Sequence, residues 1–262
     1  MKNIVIVGFG NAGKHYFDIV KNNKTIKKIY IIENKISTEF KKYQISLDEI
    51  KKNNIQFEYA IIATPSNLHF KYAEFFLKKK CHVLIEKPFV LKIKDGKKLI
   101  RLAGKNKKKC WTSLQNRCNS ATQELKKILK KNQLGPISLI SCSMFWSRSK
   151  KYYSNGWRGK YNSDGGVLAN QAIHLLDILV FLFGEIKYFN AVGGFNKKKL
   201  EAEDLIMINM KHKKNYFSTF TATTRSDTDY MSAIDVIAKK GRVRVTGLSL
   251  NLFEEYKRVF DI

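Results

Sequence analysis

The sequence predicts an α/β protein in two parts, a doubly wound parallel sheet followed by an α+β domain with a large, mostly antiparallel open sheet. Over residues 1–117, short apolar runs alternate with segments of helical periodicity, as in βαβ units. Over residues 118–262, strand-like runs follow one another with few helices between them, which is typical of an antiparallel sheet. We therefore place a domain boundary between Arg117 and Cys118.

The first part contains five predicted strands. Residues 4–7 form a continuous apolar run, which favours a strand that is buried on both faces. The other runs of this kind are residues 29–32, 59–63, 82–85 and 110–114. Helical patterns cover residues 67–77 and 94–103, and Ser46 with Glu49 has the spacing of a capping box that begins a short helix.

The second part begins with an amphipathic helix, in which Ala121, Leu125 and Ile128 share one face. A strongly apolar helix is predicted over residues 167–183, where Gly184 ends it. The predicted strands are residues 137–146, 186–192, 205–210, 216–223, 230–238 and 242–246.

The chain is strongly basic, with 49 Lys and Arg against 22 Asp and Glu and a net charge of +27. Only eight of the 49 are Arg, the residue that most often contacts bases and phosphates. The Lys clusters are scattered along the chain instead of forming one arm. This pattern indicates a solvated surface, with attraction of anionic small molecules as the functional alternative, and it argues against a nucleic-acid partner.

The cysteines and the apolar runs predict a cytoplasmic protein. The Cys residues show no C-x-x-C spacing and lie in or just after apolar runs, which favours buried free thiols and no metal site. They are Cys81, Cys110, Cys118 and Cys142. No run reaches the roughly 18 uncharged apolar residues of a membrane span, and the apolar run near the start is too short for a signal peptide.

A glycine motif connects the first predicted strand to a helix. Gly8, Gly10 and Gly13 have G-x-G-x-x-G spacing, and Glu33 follows at the end of the next strand, which is the full context of a dinucleotide-binding fingerprint. Gly8 permits the tight turn, Gly10 lets the backbone approach a pyrophosphate, and Gly13 allows close helix packing. We expect Glu33 to bind ribose hydroxyls and repel a 2′-phosphate, which favours NAD over NADP, while the nearby Lys35 weakens that preference. The alternative is a glycine turn that binds nothing.

Two later strand ends carry further candidates, because open parallel sheets bind ligands at the carboxyl ends of their strands. Thr64 and Pro65 follow one strand, where they either contact a ligand or only end the strand. Glu86, Lys87 and Pro88 follow the next strand. Desolvation at such an edge lowers the pKa of a lysine, so Lys87 is a candidate proton carrier.

A polar stripe lies on the last predicted helix. Asn170, His174 and Asp177 are spaced so that they share one helical face. Polar groups on an apolar helix must be paired or face a cavity. His174 is therefore either a core histidine bonded to Asp177 or a catalytic group.

In combination, these motifs resemble those of the Gfo/Idh/MocA oxidoreductases over residues 1–247. In chain order the matching segments are Gly8 to Gly13, Thr64-Pro65 with His69, Glu86-Lys87-Pro88, Asn116-Arg117, and Gly165-Gly166 to His174 and Asp177. Trp157 and Arg158, with Asn170 before His174, most resemble members that act on nucleotide-linked sugars, such as the UDP-N-acetylglucosaminuronate 3-dehydrogenases.

The resemblance implies an N-terminal Rossmann domain, a C-terminal domain for substrate binding and oligomerisation, and a site between them for hydride transfer between a sugar carbon and nicotinamide. It gives Lys87 the hydroxyl proton and His174 the role of second acid/base or orienting group. The implied cofactor contacts are Gly8, Phe9, Gly10, Asn11, Ala12, Gly13, Glu33, Thr64, Pro65, Glu86 and Lys87. The implied substrate contacts, each with a purely structural role as the alternative, are Trp157, Arg158, Asn170 and Asp177.

The sequence therefore predicts an NAD-dependent oxidoreductase of a sugar or nucleotide sugar, in a homo-oligomer that is a dimer or tetramer. Many family members carry Asp where this chain has Asn170, which puts more of the proton transfer on Lys87. Members commonly continue past the point at which this chain ends, so we expect a shortened C-terminal sheet. The alternative function is a non-catalytic regulator that senses NAD or a sugar on the same fold.

Overall fold

The computed structural model describes residues 2–154, 156–195 and 200–257. It divides into two compact units between Ser113 and Leu114, a few residues before the predicted boundary. Each unit has its own sheet and its own hydrophobic core.

The first unit contains a five-stranded parallel sheet in the order β2-β1-β3-β4-β5. The strands are β1 (Lys2–Val7), β2 (Ile26–Ile32), β3 (Tyr59–Ile62), β4 (His82–Ile85) and β5 (Cys110–Thr112). The helices are α1 (Asn11–Val20), α2 (Leu47–Lys52), α3 (His69–Lys78) and α4 (Ile93–Lys105). The strand order reverses between β1 and β3, which is the switch point where open α/β sheets bind ligands.

Alternating side chains of β1 enter cores on opposite faces of this sheet, because successive residues of a strand point to opposite sides. Val7 belongs to a buried cluster with Phe76 of α3 and Leu99 of α4. Ile6 belongs to a second cluster with Phe17 of α1. Helices therefore cover both faces, and the predicted doubly wound parallel sheet is confirmed.

The predicted capping box at the start of α2 is also confirmed. The Glu49 N–H donates to Ser46 Oγ at 3.1 Å, and the Ser46 N–H donates to the Glu49 carboxylate at 2.8 Å. Both bonds satisfy N–H groups that a helix start leaves without intrahelical partners.

The second unit contains a seven-stranded sheet in the order β12-β11-β10-β6-β9-β8-β7. The strands are β6 (Ile137–Phe145), β7 (Ile186–Gly194), β8 (Leu205–His212), β9 (Phe217–Thr223), β10 (Met231–Ala238), β11 (Gly241–Thr246) and β12 (Leu252–Lys257). The helices are α5 (Ser120–Lys130), α6 (Lys150–Tyr153), α7 (Gly166–Asn170) and α8 (Ile173–Phe183). Neighbouring strands are antiparallel except for β6 and β9, which run parallel, so the predicted mostly antiparallel sheet is confirmed.

The core of this unit lies on one face of the sheet, under α5 and α8. Leu125 of α5 and Ile178 of α8 are buried in one cluster with Ile140, Phe220 and Ile234 of the central strands. The last strand, β12, was not predicted from the sequence.

The single helix predicted over residues 167–183 is wrong, because the chain forms two helices that are interrupted at Gln171 and Ala172. The N–H groups of both residues donate to the Val167 carbonyl, at 3.1 and 2.8 Å, so the last turn of α7 contains one extra residue. Asn170 therefore lies on α7, whereas His174 and Asp177 lie on α8. The predicted continuous polar stripe does not form.

The four cysteines are free, but they differ in burial. Cys81 and Cys142 are buried, Cys110 is half-buried, and Cys118 is exposed in a 3₁₀ turn, which corrects the prediction of four buried thiols. Burial raises the pKa of Cys81 to about 11 and that of Cys110 to about 12. Among the described residues, we find no helix suited to crossing a membrane and no cluster of three potential metal ligands.

Candidate functional site

The carboxyl ends of four strands of the first unit lie in register along one edge of the sheet. Val7 pairs with Ile32 of β2 and with Ile62 of β3, and Ile62 pairs with Ile85 of β4. The residues directly after these ends are Gly8, Glu33, Ala63 and Glu86. The cofactor residues predicted from the sequence are thereby brought together at this edge.

The glycine turn after β1 has the close contacts that its spacing predicts. Gly8 has a φ of +89°, and a Cβ at this position would lie 2.6 Å from the Ala63 carbonyl oxygen. A Cβ on Gly13 would lie 2.1 Å from the carbonyl oxygen of Gly8. Gly8 and Gly13 are therefore required by the turn itself.

Gly10 differs from the other two glycines. It has a φ of −72°, which other residues adopt, and a Cβ here would have no described neighbour within 4 Å. Gly10 is also the N-cap of α1, and no side chain caps the first N–H groups of that helix, which are those of Asn11 and Ala12. Such a helix start attracts anions. The open space and these donors fit the pyrophosphate of a dinucleotide.

The Glu33 carboxylate lies beside the glycine turn. It accepts the Phe9 N–H at 2.9 Å and the Asn34 N–H at 2.7 Å. The Phe9 side chain points away into the core, where its ring contacts those of Phe17 and Phe40. The ring of Phe9 is therefore not available to a cofactor, and its N–H already donates to Glu33. Since an ionised carboxylate has about four acceptor positions, Glu33 keeps capacity for ribose hydroxyls.

The segment after β3 carries an unsatisfied polar atom. Thr64 Oγ1 is buried and has no hydrogen-bond partner among the described residues. Such an atom costs free energy unless a ligand or water satisfies it. Thr64 therefore fits the predicted cofactor contact better than a simple strand terminator, and Pro65 follows it at the start of a 3₁₀ turn.

Glu86 and Lys87 after β4 are held by a residue that sequence reasoning missed. The Tyr16 hydroxyl, on α1, donates to Glu86 Oε1 at 2.6 Å, and the Lys87 N–H donates to Glu86 Oε2 at 3.1 Å. Burial and this bond raise the pKa of Tyr16, so its hydroxyl stays a donor. Tyr16 lies about one helical turn after Gly13 on α1. This spacing from the glycine motif is the feature of the sequence from which Tyr16 could have been predicted to lie near the sheet edge. The Lys87 side chain is half-buried at the edge.

His69 connects the segments after β3 and β4. It is 1% exposed, and its two ring nitrogens lie 3.0 Å from the Thr64 carbonyl oxygen and 2.8 Å from that of Pro88. Both partners are main-chain oxygens, so no residue type in the sequence indicates them. Burial lowers the pKa of His69 below its ordinary value, against the opposing effect of the Pro88 and Thr64 carbonyls and of the Glu86 charge, while the charge of Lys87 lowers it further.

We expect His69 to destabilise the protein at acid pH. Its folded-state pKa lies below the unfolded value of about 6.5, so the unfolded state binds more protons as the pH falls. The stability that His69 contributes is present above about pH 6.5 and is lost below it. Urea unfolding at about pH 8 and pH 5 should show a smaller loss of stability for His69→Asn than for wild type. The exposed His15→Asn is the control, and equal losses for His69→Asn and wild type contradict the assignment.

The loop before α7 in the second unit is built around a buried carboxylate that the sequence did not single out. Asp164 is 1% exposed, accepts the Gly159 N–H at 2.7 Å and is bonded to the Asn170 amide. Gly166 has a φ of +82°, and a Cβ there would collide with the Glu203 carboxylate. Burial raises the pKa of Glu203, and nearby Asp164 adds to the shift. These contacts explain why the loop contains glycine.

Tyr152 organises the polar residues at the junction of α7 and α8. Its hydroxyl lies 3.0 Å from the Gln171 amide nitrogen and 3.4 Å from that of Asn170. Arg158 lies over the Tyr152 ring at 4.0 Å and over the Trp157 ring at 5.0 Å. Three of the predicted substrate residues are thereby brought around one tyrosine.

His174 lines a small cavity of about 120 Å³ in the second unit. Gln171, Asn116 and Trp146 also line this cavity. Its volume is below the roughly 300–1,000 Å³ of a whole ligand pocket, so it fits only part of a ligand or water, which the polar side chains around it would orient. The position of His174 in this lining therefore fits the predicted role of a catalytic or orienting group that contacts a ligand in the cavity.

Asp177 lies one turn beyond His174, and both of its oxygens contact Arg117. Arg117 Nε donates to one oxygen at 2.7 Å and its Nη2 donates to the other at 2.5 Å. This bidentate pair joins the 3₁₀ turn after β5 to α8. Arg117, whose neighbour Asn116 lines the His174 cavity, was noted in the sequence only as part of a motif.

Comparison with known proteins places both units. Residues 2–114 match the oxidoreductase family with an NAD-binding Rossmann fold, and residues 122–244 match the GFO/IDH/MocA C-terminal domain. The curated relative scyllo-inositol 2-dehydrogenase (NADP(+)) IolW of Bacillus subtilis is 23% identical over 80% of this chain and 59% of its own length. The chain spans less than two thirds of the length of the curated relatives that it matches.

Solved structures agree on the fold. The WlbA dehydrogenase from Bordetella pertussis, in complex with NADH and UDP-GlcNAcA, has a TM-score of 0.90 and 25% identity over 98% of this chain and 83% of its own. The WlbA dehydrogenase from Chromobacterium violaceum, with the same ligands, has a TM-score of 0.90 and 24% identity over 100% of this chain and 78% of its own. The first unit is an NAD-binding Rossmann domain, and the chain belongs to the GFO/IDH/MocA oxidoreductase family.

Proposed function

We propose that the chain is an NAD-dependent oxidoreductase that transfers a hydride between a ring carbon of a nucleotide sugar and nicotinamide. The observation that carries the proposal is the sheet edge where the glycine turn, Glu33 and Glu86-Lys87 follow four strands that end in register. The UDP-GlcNAcA and NADH bound to the similar WlbA dehydrogenases support the substrate class. The homo-oligomer stays a prediction.

Oxidation of an alcohol carbon requires a group that takes the hydroxyl proton. When bound, NAD accepts the hydride. We assign the proton to Lys87, whose backbone is held against Glu86, itself fixed by Tyr16. Lys87 takes the hydroxyl proton in oxidation and returns it in reduction. His174, beside Gln171 in its cavity, is the second acid/base or orienting group.

The four predicted substrate residues divide into two pairs. Asn170 and Asp177 are bonded to Asp164 and Arg117, so we propose that they orient the helices that carry the site. Arg158 lies over the rings of both Trp157 and Tyr152, and we propose Trp157 and Arg158 as the substrate contacts.

The test is turnover by the purified full chain with NAD and a panel of UDP-sugars, sugar phosphates and free sugars. We expect NADH to form with at least one UDP-sugar, detected by its absorbance. NAD that binds without turnover across the panel would overturn the proposal and favour the regulator.

Glu33→Gln is expected to weaken the preference for NAD over NADP. The amide oxygen of glutamine still accepts the Phe9 N–H but carries no charge, so it no longer repels a 2′-phosphate. The ratio of kcat/KM for NAD to that for NADP should fall about tenfold, or ~1.4 kcal/mol. Exposed Glu39→Gln is the matched control for lost charge. An unchanged ratio in Glu33→Gln means that Glu33 does not select the cofactor.

A further inference from the structure

A second and larger cavity, of about 670 Å³, lies at one end of the seven-stranded sheet. It lies where the parallel neighbours β6 and β9 end, because the Arg148 N–H donates to the Thr224 carbonyl just beyond both strands. Its charged and hydroxyl-bearing lining includes Arg148, Lys150, Tyr153, Asp204, Thr224 and Arg225. The sequence did not single out any of these six residues as part of a site.

The charge of this lining is positive. Among its described residues, three cations stand against one carboxylate, that of Asp204. Arg225 Nε and Nη2 both donate to a single oxygen of Asp204, at 2.9 and 2.7 Å. An arginine has five N–H donors, and these bonds use two of them. The paired carboxylate thus fixes the guanidinium while leaving it donors for a ligand.

Arg148 is held rigidly in the same cavity. Its guanidinium lies 4.8 Å from the Trp146 ring and 5.5 Å from the Tyr152 ring, and its Nη1 donates to Asp229 at 3.0 Å. A guanidinium that is stacked and oriented loses little entropy when it binds a phosphate. The Tyr153 and Thr224 hydroxyls, 2.8 Å apart, add neutral polar groups to the wall.

One stack of side chains connects the lining of this cavity to that of the His174 cavity. Trp146 lines the His174 cavity, and Arg148, which lies on the Trp146 ring, lines the larger one. A ligand with a neutral ring at one end and an anionic group at the other would place the ring beside Trp146 and the anionic group beside Arg148.

We propose that the cavity of Arg148 and Arg225 binds the doubly charged phosphate part of the substrate. The Asp229 carboxylate, which pairs with Arg148, adds to that of Asp204, so the three cations of the lining exceed the carboxylates beside them by one. This positive charge and the two oriented guanidinium groups favour the anionic oxygens of a diphosphate diester or of a phosphate monoester. The proposal rests on the proposed sugar oxidoreductase function and places the anionic end of its substrate. It leaves Arg158 with the sugar-side contacts near Tyr152.

The test measures binding by calorimetry, without NAD, to the full chain. The probes are UDP, inorganic pyrophosphate and glucose 6-phosphate. Wild type should bind UDP and pyrophosphate if the substrate carries a diphosphate, and glucose 6-phosphate if the substrate is a phosphate monoester. Arg225→Gln should weaken the bound probe at least about tenfold, whereas Arg101→Gln, which removes an exposed charge on α4, should not.

Arg225→Lys keeps a cation beside Asp204, so it tests the forked guanidinium in a variant that retains the ion pair. NAD affinity, which depends on the first unit, should be unchanged in all three variants, and urea unfolding followed by circular dichroism reports whether the second unit, which contains Arg225, stays folded. Equal probe affinity for Arg225→Gln and Arg101→Gln, or no binding of any probe by wild type, overturns the proposal. If wild type oxidises an uncharged sugar but binds none of the probes, this proposal is overturned and the oxidoreductase function stands. If wild type binds a probe, Arg225→Gln loses that binding, and no sugar in the panel is turned over, only the oxidoreductase function is overturned.

Discussion

Replacing Lys87 with methionine is expected to lower kcat by about 10²- to 10⁴-fold, the usual contribution of a positioned acid or base. Methionine keeps most of the aliphatic stem but cannot carry a proton. NAD affinity should fall far less than kcat, because Lys87 is one of eleven implied cofactor contacts and the glycine turn and Glu33 stay in place. Steady-state turnover with the UDP-sugar found in the panel and equilibrium binding of NAD measure the two effects separately.

Two comparisons separate proton transfer from simple loss of charge. Lys94→Met removes an exposed lysine from the first turn of α4 and should leave kcat unchanged. Tyr16→Phe removes the hydroxyl that fixes Glu86 and should lower kcat less than Lys87→Met while shifting the pH profile of kcat. If Lys87→Met turns over as fast as Lys94→Met, Lys87 does not carry the proton.

The sheet edge of the first unit was largely predictable because its determinants are local. Buried parallel strands appear as continuous apolar runs, and a G-x-G-x-x-G turn directly after such a run is typical of a dinucleotide-binding domain. Gly8, Glu33, Thr64 and Glu86 lie one or two residues beyond strand ends. Predicting where the strands end was therefore enough to predict that these residues lie at one edge of the sheet.

The second unit was less predictable because its site depends on contacts between distant residues. The helix is interrupted after Asn170, whose amide is hydrogen-bonded to Tyr152 and Asp164. Helical periodicity carries no information about these bonds. Arg148 and Arg225 line one cavity because they follow the ends of β6 and β9, which are parallel neighbours in a sheet that is otherwise antiparallel. Sequence reasoning selected Arg158 for its motif and had no means of pairing the other two arginines.

The glycine turn allows cofactor binding to be separated from folding. In Gly10→Ala the new methyl group has no described neighbour within 4 Å and the φ of −72° suits alanine, so we expect the free energy of unfolding to change by less than about 1 kcal/mol. The same methyl group projects into the space that we assign to the pyrophosphate. NAD affinity should therefore fall by at least about tenfold, or ~1.4 kcal/mol.

Gly13→Ala and Gly104→Ala complete the comparison. A Cβ on Gly13 would lie 2.1 Å from the Gly8 carbonyl oxygen, so the backbone must move and we expect a loss of about 1–3 kcal/mol of stability together with NAD affinity. Gly104 is exposed near the end of α4 with open space around it, and alanine there should raise stability by up to about 1 kcal/mol and leave NAD binding unchanged. Urea unfolding and NAD titration of the three variants test the assignment. If Gly10→Ala binds NAD as tightly as Gly104→Ala, the pyrophosphate does not approach the backbone at Gly10, because a methyl group in that position would have displaced it.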